Sequence, residues 1–72
     1  MTMLKEKYKL VILALADNGM KAKPAARELG LHWNVVYARM DRIYDLTGLD
    51  PRNFYDLHEL VQMVNEEEDT NG

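Results

Sequence analysis

Between Pro24 and Val36 the chain reads Pro-Ala-Ala-Arg-Glu-Leu-Gly-Leu-His-Trp-Asn-Val-Val, and few arrangements satisfy that run. Proline has no N–H to lose at the first position of a helix, and its fixed φ suits that site, so a short helix is expected from Pro24 to Leu29. Lys23, the residue before it, is biased out of the helical region. Gly30 then closes the helix, because glycine takes a left-handed backbone at no steric cost. A longer helix is expected from Trp33 to Leu46, with apolar Val36 and Met40 at the sixth and tenth positions after the glycine. Ala26 must be small where the next helix crosses over it, and Leu31 and Val36 plug the angle between the two. Two helices joined through a tight glycine turn make a helix-turn-helix unit, which projects the start of its second helix outward.

The flanking segments carry helical spacing too, and no stretch alternates apolar and polar residues as a half-buried strand does. Leu4, Tyr8, Val11, Ile12 and Leu15 fall on one stripe, and Asp17-Asn18-Gly19 ends it. Met3, Leu10 and Leu13 lie off that stripe, either as ordinary exposed residues or as a self-association surface. Val36, Met40 and Ile43 form the inward stripe of the third helix, flanked by Val35 and Leu46, and Thr47-Gly48 closes it. Asp50-Pro51 or Asn53 caps a fourth helix, expected from Asn53 to Asn65, with Phe54, Leu57, Leu60, Val61 and Val64 inward. The expectation is an all-α fold: a small four-helix domain with a central helix-turn-helix over residues 1–65, then an acidic, disordered tail over 66–72.

The net charge of −3 hides an asymmetry. Residues 1–44 carry eight Lys or Arg against four Asp or Glu, a net of +4, while residues 45–72 carry Arg52 alone against eight acids, a net of −7. Such a split suits one polyanion-facing half and one solvating half. With no cysteine there is no disulfide, thiolate site or cysteine nucleophile, and the 72 residues also contain no serine and no glycine-rich phosphate loop. No enzymatic activity and no cofactor are expected from so small a chain. His32 and His58 have no third ligand at helical spacing, so no metal site is expected, and His58 is read as packed or exposed with no special role. The longest apolar run, Leu10 to Ala16, is too short to span a bilayer, and no charged-then-apolar leader opens the chain. A cytoplasmic location follows as an expectation. The opening methionine and polar closing residues likewise fit a free-standing protein.

Ala25-Ala26-Arg27-Glu28-Leu29-Gly30, then His32 and Asn34, then Arg39, Arg42-Ile43 and Leu46-Thr47-Gly48-Leu49-Asp50 carry a resemblance. From Leu10 to Val64, about three quarters of the chain, the sequence resembles the C-terminal helix-turn-helix domain of PucR-type bacterial transcription regulators. More distantly it resembles the Fis-type DNA-binding module. The Leu-Thr-Gly-Leu-Asp run is the more specific part, since many helix-turn-helix proteins share the alanine–glycine core. The resemblance implies a domain that binds double-stranded DNA through its third helix in the major groove, usually as a dimer. The chain departs from the family pattern at Trp33 and Val35, where arginine and threonine are usual, and its tyrosine stands at Tyr37 with Ala38 in the family's place. Those departures bear on the DNA target.

At about 100° per residue, the outward face of the third helix collects Trp33, Asn34, Tyr37, Ala38, Asp41 and Asp45. Trp33, Asn34 and Tyr37 are the expected base-facing set: Asn34 for an adenine edge, Tyr37 for a phosphate or a thymine methyl. Trp33 either meets a base, a groove or a protein, or folds back over Met20 or Ala22. Lys21, Lys23 and Arg27 surround the start of the second helix and are expected on the DNA backbone, with His32 at the N-cap of the third helix and Arg42 at the edge of its outward face. Arg39 lies near the apolar stripe, its guanidinium reaching either a phosphate or a carboxylate such as Glu28. Asp41 and Asp45 would repel phosphates that came close. The function read from these residues is a DNA-binding transcription regulator working as a homodimer through Met3, Leu10 and Leu13 or through the fourth helix. The alternative is a protein-interaction module that retains the fold, with Trp33 and Tyr37 as anchors and no DNA binding.

Overall fold

A computed structural model describes residues 4–69, which form four helices: α1 (Glu6–Asp17), α2 (Ala22–Leu29), α3 (Trp33–Thr47) and α4 (Phe54–Asp69). No strand occurs among the described residues, and the all-α expectation holds. No helix among them is long and apolar enough to cross a membrane.

Helix α1 is the centre of the domain. It packs on α2, α3 and α4, whereas α4 meets no other helix among the described residues. That position explains why Val11, Ile12, Ala14 and Leu15 are all buried: neighbours on two sides cover more of the helix than one stripe. Leu4 and Tyr8 extend the buried set as the spacing predicts. Leu13 is half-buried against the core, Leu10 stays 44% exposed, and Met3 lies outside the described residues. Each large side chain covered in this way contributes roughly 1.5–3 kcal/mol of hydrophobic stabilisation.

Four boundaries differ from the sequence expectation, one of them being the start of α4 at Phe54, one residue after Asn53. Helix α2 begins at Ala22, so Pro24 is its third residue and Lys23 is helical. The first amide that must donate along this helix is that of Ala25, to the Lys21 carbonyl at 3.3 Å; Pro24 sits one residue before that need arises. Helix α3 runs one residue further, to Thr47, whose hydroxyl donates back to the Ile43 carbonyl at 2.7 Å. Helix α4 continues past Asn65 to Asp69, and Lys9 of α1 pairs with Glu67 at 2.7 Å in that extra turn. Residues 66–69 of the expected acidic tail therefore lie in α4, and 70–72 lie outside the described residues.

Phe54 is a further correction: it is 65% exposed, not inward. It lies beside Gly19 and Met20, just past the end of α1, where no helix remains to cover it. Leu57, Leu60 and Val64 carry the contact with α1 instead, with Val61 half-buried beside them. Leu46, expected to flank the core from α3, is 52% exposed.

Candidate nucleic-acid interface

The turn between α2 and α3 is closed by the backbone itself. Gly30 is left-handed at φ +71°, which lets the Leu31 amide donate to the Ala26 carbonyl at 2.9 Å and the Gly30 amide to Arg27 at 3.2 Å. Ala25 and Ala26 are buried, as a close helix crossing requires, and fully buried Val36 with half-buried Leu31 fills the angle. The chain then extends through His32, whose Nδ1 accepts from the Asn34 amide at 3.1 Å. His32 is thus the N-cap of α3, and its backbone conformation aims the first turn of that helix into solvent.

All six residues expected on the outward face of α3 are exposed. Trp33 and Tyr37, one turn apart, meet edge to face with ring centroids 5.8 Å apart, and the His32 ring lies 5.3 Å from the indole. Trp33 is 41% exposed, so its indole is not folded into the core. The Lys23 ammonium stands 5.6 Å above it. Lys23, Ala26, Arg27, Leu31, His32 and Trp33 line one open cleft of about 230 Å³. One side of α2, from Lys23 to Arg27, therefore shares a surface with the tip of α3. Arg27 lies in the last turn of α2 and not around its start, where Lys21 is the N-cap; Lys21, Lys23 and Arg27 are all exposed and in no ion pair among the described residues.

The remaining expected cations behave differently. Arg39 is half-buried and makes no ion pair among the described residues. Its candidate partner Glu28 instead accepts from the Asn18 side-chain Nδ2 at 2.9 Å, which ties the end of α1 to α2. Arg42 reaches Asp45 at 3.7 Å, one turn along the exposed surface. His58 is exposed beside Phe54 and Val61, on a groove between the end of α1 and α4 and outside the α2–α3 cleft.

Arg52 was not among the residues singled out from sequence, and it stands on this face. Its Nη2 donates to Asp41 at 2.9 Å, and its guanidinium lies 5.8 Å over the Tyr37 ring. Arg52 is the lone cation in the acidic half of the chain, which is why a charge count by segment passes over it. The available signal was the Asp50-Pro51 pair just after the Gly48 stop, a turn sequence that brings the next side chain back along the helix that has ended.

The model of the PucR C-terminal helix-turn-helix domain matches residues 11–63. No curated protein and no solved structure matches the chain.

Proposed function

The chain belongs to the PucR C-terminal helix-turn-helix family, and on that premise we propose that it is a DNA-binding transcription regulator whose α3 enters the major groove. The observation that carries this reading is the single surface formed by one side of α2, from Lys23 to Arg27, and the tip of α3. Trp33, Asn34 and Tyr37 face the bases from the first two turns of α3, where a recognition helix makes its base contacts. Lys21, Lys23 and Arg27 flank them on the backbone, His32 adds a contact at the helix tip, and Arg39 and Arg42 reach phosphates from its sides. The aromatic pair replaces the usual arginine with stacking and methyl contacts.

A single module of this size makes few base contacts, so a homodimer on two half-sites is part of the proposal. Exposed Leu10 and the outer face of α4 are its candidate contacts.

The test is binding to a random-sequence duplex pool at about 50 and about 200 mM salt, with the bound fraction selected and sequenced. An enriched palindromic motif with a steep salt dependence is the expected result. Binding without enrichment would leave an architectural role. A folded protein that binds nothing at the lower salt overturns the proposal and leaves Trp33 and Tyr37 as anchors for a protein partner.

A further inference from the structure

We infer that Arg52, outside the helix-turn-helix, is a positioning residue of this interface: it cancels the Asp41 carboxylate and braces Tyr37, so that α3 meets DNA as a near-neutral aromatic face. The inference rests on the DNA-binding reading above and deepens it.

The loop after α3 is built to deliver this one side chain. Gly48 ends α3 in the left-handed conformation, and the Leu49 amide donates to the Thr47 hydroxyl at 3.0 Å. The next four residues form a turn in which the Asn53 amide donates to the Asp50 carbonyl at 2.9 Å over fully buried Pro51. Asp50 Oδ1 accepts from the Arg52 amide at 2.9 Å, and Asp56 Oδ2 from the Asp50 amide at 3.0 Å. Asn53 Oδ1 in turn caps α4 through the Asp56 amide at 3.0 Å. Five hydrogen bonds and a buried proline thus hold the backbone that carries Arg52.

From that anchor the guanidinium spans two elements. Nη2 takes Asp41 on α3, Nη1 lies 3.6 Å from Asp50, and the group sits over Tyr37. The Asp41 side chain is 69% exposed and that of Arg52 41%, and an ion pair so open to water contributes little to stability. Its consequence lies in the potential of the surface. Without Arg52, the Asp41 carboxylate, one turn on from Tyr37, would stand uncompensated on the side of α3 that approaches phosphates. Asp45, the other acid on this face, already pairs with Arg42.

The experiment compares Arg52→Gln, Arg52→Lys, Asp41→Asn and the double variant Arg52→Gln/Asp41→Asn in the full chain, by fluorescence anisotropy on the duplex the wild type selects. Arg52→Gln is expected to weaken binding roughly 5–10-fold at low salt. Arg52→Lys recovers part of the loss, because it keeps the charge but not the planar fork. The deciding quantity is the gain from Asp41→Asn, expected to be larger in the Arg52→Gln background than in the wild type. Equal gains in both backgrounds would make Arg52 an independent phosphate contact and overturn the inference, as would Arg52→Gln binding like the wild type. If the wild type itself binds no duplex, the DNA-binding reading fails and takes this inference with it. Thermal unfolding of each variant, expected within a few degrees of the wild type, separates these outcomes from loss of fold.

Discussion

The Lys23 ammonium lies 5.6 Å from the centroid of the Trp33 indole, so the first turn of α2 touches the first turn of α3 across the Gly30 turn. Exposed cation–π contacts of this kind are worth about 0.5–1 kcal/mol. Here the contact sets a positive group beside the aromatic tip of the helix that is proposed to read DNA.

Replacing Trp33 with alanine is expected to remove roughly 1–3 kcal/mol of discrimination at the base steps beneath the α3 tip. Repeating the duplex selection with Trp33→Ala reads this directly, as a motif that loses information at those positions. Because Trp33 is 41% exposed, helical content should stay near that of the wild type.

Lys21→Ala and Arg27→Ala should weaken every duplex alike. Each lost phosphate contact lowers the slope of log affinity against log salt by about 0.9, whatever the sequence bound. A change confined to one sequence would mean that the residue touches bases.

Gly30→Ala is expected to cost about 1–2 kcal/mol, measured by urea unfolding. A Cβ at Gly30 would meet nothing within 4 Å, so the cost comes from the φ of +71° and not from a clash. Gly30→Asn should cost less, since asparagine tolerates that conformation better.

Lys9 and Glu67 pair at 2.7 Å with side chains only 17% and 20% exposed. Removing one partner takes this short ion pair out of a largely covered site. Lys9→Ala or Glu67→Ala should therefore each cost roughly 1–3 kcal/mol, and the double variant less than their sum. DNA affinity should hold in all three, because α4 packs on α1 and not on α3.

Much of the architecture was legible in the sequence because it is decided locally. Gly19, Gly30 and Gly48 each take a left-handed backbone where the apolar spacing breaks, and the helices end within a few residues of those points. The 100° repeat placed Trp33, Asn34, Tyr37, Ala38, Asp41 and Asp45 on one face, and all six are exposed. His32 caps α3 as its position implied. The Asn53 cap also formed, although Asp56 returns its side chain to the Asp50 amide and not to Asn53.

Periodicity states which residues share a face, but what covers that face depends on where the neighbouring helix ends. Phe54 belongs to the apolar stripe of α4 and is still exposed, because α1 stops short of it. The charges of α3 follow the same logic. Asp41 and Asp45 looked repulsive to phosphate when read along the helix, yet a turn eleven residues downstream of Asp41 brings Arg52 onto it, and Arg42 takes Asp45. Sequence alone determined the four helices, the glycine stops of the first three and the outward face of the third. Only the tertiary structure decided the charge of that face, because a guanidinium is placed by the path of the loop that carries it, and that path depends on Pro51 being buried against the rest of the domain.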